Sequence, residues 1–152
     1  MSQQDCADSL REIRRAEYEP FTALKHLFLV GDLKRENPHP FVRDARLELL
    51  LCFYQPGDDG LPHWHRDVTE YEIVIEGEVG HEDVGTGETK WFGPGDLRVL
   101  PPGICTRRII RVPARTVAIK VPSTSEKVFC LGCSRQCAAR VAPCLEEECV
   151  SQ

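Results

Sequence analysis

Histidine is scarce in this sequence. There are five in 152 residues, so any two that stand close together carry weight. No apolar run is long enough for a membrane helix, which excludes an α-helical membrane protein. Positive charge is not in excess. The formal net charge of −5 argues against a nucleic-acid-binding surface. The opening stretch, MSQQDCADSLREIRRAEY, is polar and lacks the apolar core of a signal peptide, so a cytoplasmic protein is expected. There is no internal repeat and no low-complexity stretch. The hydrophobic fraction of 41% is ordinary and makes a packed core feasible. The length fits a single domain.

The stretch from Gly57 to Gly77, GDDGLPHWHRDVTEYEIVIEG, organises the rest. Residues two apart on an extended strand point to the same face. His63 and His65 therefore project together, with Trp64 turned the other way. The run EYEIVIEG predicts a second strand beginning at Glu70. If the strands are neighbours, two imidazoles and a carboxylate converge. That set suits iron, zinc, copper, nickel or manganese and leaves positions open for water or substrate. A second glycine- and proline-marked stretch, Gly95-Asp96-Leu97-Arg98-Val99-Leu100-Pro101-Pro102-Gly103, follows.

Together these stretches resemble the two cupin motifs. Gly57, His63-x-His65, Glu70 and Gly77 match the spacing of the first, and Gly95 to Gly103 that of the second, over roughly residues 45–121. The resemblance implies a double-stranded β-helix, a jelly-roll barrel with a divalent metal at its mouth held by His63, His65 and Glu70. It departs at one place. The second motif ordinarily supplies a fourth ligand, a histidine, where this chain has Thr106. Either that position is open to substrate, or the barrel has lost its metal.

Taken in order, residues 5–17 have helix-forming composition with Asp or Ser as N-cap. Residues 23–30 and 45–54 predict strands, with the loop GDLKRENPHP between them. A hairpin is expected after Gly77, with Gly85-Thr86-Gly87 at its turn. RVLPPG, RRIIRV and RTVAIKV predict further strands. Many short strands between Gly/Pro turns give an all-β barrel or sandwich. The chain reads as an N-terminal helix-and-strand segment (1–44), a cupin barrel (45–122) and a Cys-rich tail (123–152) appended to it.

If Glu70 points inward, so do Glu72 and Val74, while Tyr71, Ile73 and Ile75 point outward. That apolar outer face needs a cover. The N-terminal segment, the second sheet or a partner copy would supply it, and the resemblance favours a homodimer. Arg108 shares a face with Thr106 and should be inward. Inside a barrel a charge needs a partner. Glu72 and Arg108 therefore pair either with each other or with a bound ligand, where Glu72 would act as a base and Arg108 would hold a substrate carboxylate. His26, His39 and His81 have no motif context and read as surface or loop residues. Cys105 should face away from Thr106 and is not counted as a barrel ligand.

The tail holds Cys130, Cys133, Cys137, Cys144 and Cys149. Four of them would suit a closed zinc site or an iron site, and disulfides or a loose thiol-rich tail are the alternatives. The tail is loosely similar to that of cupin dioxygenases that cleave hydroxyanthranilate, but it lacks their second Cys-x2-Cys pair. The expected function is a metal-dependent enzyme, an oxygenase or an isomerase, acting on a small, anionic molecule. The rival is a non-catalytic module that binds a small ligand or senses metal or redox state.

Overall fold

The computed structural model describes residues 10–124 and 126–130 and the backbone of 149–151. A turn of helix, α1 (Arg15–Tyr18), runs into a 3-10 turn at Glu19–Leu24. The strands follow in order: β1 (His26–Val30), β2 (Glu48–Tyr54), β3 (His63–Trp64), β4 (Thr69–Glu76), β5 (Val79–Asp83) and β6 (Thr89–Phe92). Then come β7 (Leu97–Leu100), β8 (Thr106–Ile109), β9 (Ala114–Val121), β10 (Val128–Cys130) and β11 (Cys149–Ser151). They form two antiparallel sheets, β1-β2-β9-β4-β7 and β11-β10-β3-β8-β5-β6. This is the expected all-β jelly roll.

Among the described residues the N-terminal helix is shorter than the sequence predicts. None of its residues is buried, so no apolar stripe holds it against the barrel. The hairpin falls where expected, with Val79 to Glu82 paired to Phe92 to Thr89. Both flanking segments join the sheets. β1 pairs with β2, and β10 pairs with β3 through Val128–Trp64 and Phe129–His63. The first residues of the tail are thus part of the second sheet, a correction to the appended tail. The reason is their alternation: Val128 and Cys130 are buried beside Trp64.

β4 has the expected register. Glu72 and Val74 are buried, whereas Tyr71, Ile73 and Ile75 are 39%, 43% and 45% exposed. A bulge between Val74 and Glu76 comes after the site and leaves this alternation intact. The outer face stays uncovered by any described residue, and the exposed Leu97, Val99 and Val121 extend it. Gly77 ends the strand at φ +77°, where an added Cβ would fall 2.0 Å from Pro113 O. Only glycine suits that turn.

The inner face is layered. One end is apolar, with Leu50, Cys52, Val74, Val79, Ile110 and Ala118 packed together. Toward the mouth the rungs become charged: Glu48, Lys120 and Glu70 lie side by side across β2, β9 and β4, and Glu72 and Arg98 face each other across β4 and β7. No described helix is long and apolar enough to cross a membrane.

Candidate functional site

His63 and His65 lie on the same side of their segment, ring centroids 5.3 Å apart and nearly perpendicular, while Trp64 turns into a separate apolar cluster. Glu70 is not on a neighbouring strand as the motif suggested. β3 and β4 belong to opposite sheets, and the groups meet across the barrel interior. The curl of a closed roll brings its two inner faces together, so sequence neighbours converge from facing sheets.

Backbone carbonyls fix both imidazoles. His63 Nδ1 lies 2.9 Å from Leu61 O, and His65 Nδ1 lies 2.7 Å from Glu126 O. A carbonyl only accepts, so each Nδ1 carries the hydrogen and each Nε2 is turned elsewhere, away from that carbonyl. Burial lowers the His63 pKa to about 4, which keeps that ring neutral at pH 7. His65 Nε2 is buried without a hydrogen-bond partner and stands 3.6 Å from Glu70 Oε2. Two acceptors facing each other in a buried site need a cation or a proton between them.

This donor chemistry fits a divalent ion. Ligand atoms on one ion, each at about 2.0–2.2 Å, lie roughly 3 Å apart when they are neighbours. The His65–Glu70 separation is slightly wider. Among the described residues no group of three or more His, Cys, Asp and Glu side chains stands close enough together to hold a metal ion as placed. Thr106 is buried and is the cross-strand partner of His63, so the fourth position carries a hydroxyl facing the same small cavity.

Arg98 is the residue that sequence reading missed. It is buried, its Nη2 lies 2.5 Å from Glu70 Oε1 and 3.4 Å from Glu72 Oε1. Burial alone would raise the Glu70 pKa, but the Arg98 guanidinium, with Lys120 on the neighbouring strand, holds it well below the ordinary carboxylate range. Glu72 is also held low against burial, by His81 and then by Arg98. Thr116 Oγ1 donates to Glu72 Oε2 at 2.9 Å, and His81 Nε2 lies 3.0 Å from Oε1. The signal for Arg98 lay in LRVL, where it is the one charge in an apolar strand and shares the inward period with Leu100.

The remaining sequence expectations divide. Arg108 lines the inner cavity with Glu72, but no ion pair joins the two among the described residues. Instead Arg108 lies 4.2 Å over the Tyr54 ring and its Nε donates to Asp58 O at 3.1 Å. Glu72 prefers Arg98 and His81 because the β4–β7 register puts Arg98 directly opposite. His26, His39 and His81 are not surface residues. His39 is buried, His26 contacts Tyr54 Oη at 3.2 Å and lines the cavity, and His81 faces Glu72. His39 is a loop residue as expected, though a buried one held by Asn37 and the Pro40 carbonyl, whereas His26 and His81 lie on strands and face the barrel interior.

In the tail, Cys130 Sγ lies 3.0 Å from Cys105 Sγ, and both are buried beside Trp64, Val84 and Val128. Cys105 does face away from the barrel mouth, as expected, and meets the start of the tail. Cys133, Cys137 and Cys144 lie outside the described residues. The backbone of Cys149 pairs with that of Cys130.

No family model matches the chain. Over 52 residues the chain is 46% identical to germin-like protein subfamily T member 3 of Arabidopsis thaliana. That match covers 32% of this chain and only 23% of the plant protein, so the chain spans about a quarter of that relative's length. A Klebsiella pneumoniae protein with a double-stranded β-helix domain is similar in structure at TM-score 0.54 and 18% identity. The similarity covers 78% of this chain and 96% of that one. The DMSP lyase DddQ of Ruegeria pomeroyi is similar at TM-score 0.53 and 18% identity, over 66% of this chain and 47% of the lyase. Two antiparallel sheets rolled into a double-stranded β-helix, with His63, His65 and Glu70 of the Gly57–Gly77 stretch turned to its interior, make this chain a protein of the cupin fold.

Proposed function

We propose that the chain is a metal-dependent cupin acting on a small anionic molecule, with oxygenase-type chemistry as the leading class. The observation that carries this reading is the buried Nε2 of His65, without a hydrogen-bond partner and facing Glu70 Oε2 at 3.6 Å. His63, His65 and Glu70 would hold iron, zinc, manganese, nickel or copper. A divalent ion in such a set supplies Lewis-acid chemistry and, for iron, manganese or copper, redox chemistry at its open positions.

The chain's own residues would do the rest. Arg98 occupies Glu70 Oε1 and leaves Oε2 turned toward His65, so it positions the carboxylate. Glu72 has both oxygens engaged and is a weak base as it stands. It fixes the His81 tautomer: the carboxylate accepts from Nε2–H, and the buried Nδ1 is left without a hydrogen-bond partner. His81 Nδ1 is thus left as the free acceptor of that pair, and burial holds the His81 pKa below its ordinary value, so the ring is neutral beside Glu72. Arg108 lines the same inner cavity and would meet a substrate carboxylate there.

One observation favours a second reading. Arg98 already pairs with both Glu70 and Glu72 without a metal, and a proton shared between His65 Nε2 and Glu70 Oε2 would satisfy both atoms. The barrel would then be a metal-free binding module. Metal content separates the two: protein purified without added metal should carry an ion that His65→Ala loses while staying folded. Uptake unchanged by that substitution would sink the first reading. The same proposal takes the chain as a cytoplasmic homodimer joined at the Tyr71, Ile73 and Val99 face, with the tail thiols closing a zinc or iron site.

A further inference from the structure

The cavity at the barrel mouth has a volume of about 360 Å3 and is lined by His26, Arg35, Glu48, His65, Lys120 and Lys127, among others. A narrower chamber of about 50 Å3 lies further in, against His63, Glu70, Glu72 and Arg108. His26, Phe28, Lys120 and Lys127 line both, so the two lysines stand at the passage between them. They come from different layers. Lys120 is on the inner face of β9, and Lys127 is brought in by the segment leading into β10, next to the Glu126 carbonyl that fixes His65.

Their charges are incompletely matched. Lys120 has Glu48 at 3.9 Å, the edge of an ion pair, and burial raises the Glu48 pKa. His26 is held neutral, its pKa lowered to about 3 chiefly by burial. Arg35 stacks on Phe28 at 4.7 Å beside Glu36. Lys127 has no ion-pair or hydrogen-bond partner among the described residues, and burial and Lys120 lower its pKa to about 8. A cation that is half-buried without a counter-ion costs free energy that a bound anion recovers.

The geometry points to Lys127, with Lys120, as an anion subsite at the passage, separate from Arg108 in the inner chamber. The substrate class is then a small molecule with two anionic groups, carboxylate or phosphate, one at each end of the passage. The ligand threads between them past His65 and Glu70. This deepens the reading of the barrel as a site for an anionic molecule and rests on it.

The test is a set of calorimetric titrations of the full chain, as purified and again after chelator treatment. The probes are succinate, 3-phosphonopropionate and butyrate, a monoanion of the same length as succinate. Succinate or the phosphonate should bind the wild type at least about tenfold tighter than butyrate, and the better of the two identifies the group favoured at the passage. Lys127→Met should abolish most of that preference, and Lys127→Arg should keep it. Lys127→Met binding the dianions as well as the wild type does would overturn the subsite while leaving an anionic ligand in place. A wild type that does not prefer dianions would overturn it too. Metal binding, measured separately, would still stand or fall by His65→Ala.

Discussion

Replacing Arg98 with Met isolates what its guanidinium does. The side chain is 7% exposed and is the only arginine in contact with both Glu70 and Glu72 among the described residues. Methionine keeps the volume and removes the charge. Thr116 and His81 remain on Glu72, but Glu70 Oε1 loses its only described partner. Breaking a buried ion pair from one side costs about 3–5 kcal/mol, because the partner charge is left uncompensated. For a chain of this size that is roughly a 6–20 °C fall in melting temperature. The pH dependence has a definite sign. In the wild type the depressed pKa of Glu70 contributes stability present above its unfolded value, near 4.3, and lost as pH falls through the folded one. In R98M, burial without the guanidinium raises that pKa, so the deficit is full at pH 7.5 and shrinks as the carboxyl protonates toward pH 5. Urea melts of both proteins at the two pH values measure this. A deficit below about 1 kcal/mol, the range of an exposed ion pair, would refute the structural role of Arg98. An equal deficit at both pH values would show that it does not act through charge.

Three further outcomes are expected. Succinate affinity should fall as pH rises through about 8, where Lys127 loses its proton in the company of Lys120, Arg108, Glu70 and Glu48, and the fall should vanish in Lys127→Met. Ile73→Asp, on the exposed outer face, should convert a dimer into a monomer in sedimentation with little loss of stability, and a monomeric wild type would remove the dimer from the account. If the tail thiols close a metal site, Cys130→Ser should lower bound zinc or iron and make the tail protease-sensitive before the barrel unfolds, whereas mass spectrometry would reveal a disulfide instead.

Much of the site was legible because a strand's two-residue period is local. Once Glu70 is placed inward, Glu72, Val74 and the outward Tyr71, Ile73 and Ile75 follow without tertiary information. The same holds for Thr106 and Arg108 on β8. What stayed hidden depends on which strands pair and which face each other across the roll. Arg98 meets Glu72 only because β7 lies beside β4, and His81 reaches it only across the barrel from the other sheet. Lys120 sits between Glu48 and Glu70 because β9 pairs with both β2 and β4. Lys127 joins them because the start of the tail adds a strand beside His63. Composition could not show this, since a buried lysine reads like any surface lysine until its strand is placed.

The central claim is that His65 Nε2 and Glu70 Oε2 face each other across a metal ion and not across a proton. Elemental analysis of wild type and His65→Ala, both purified without added metal, tests it most directly. Taking the difference between the two removes any ion held by the tail. The account expects the wild type to carry about one more divalent ion per chain than the variant, with both folded. Equal metal content in the two proteins would contradict it and leave the barrel a metal-free binding site.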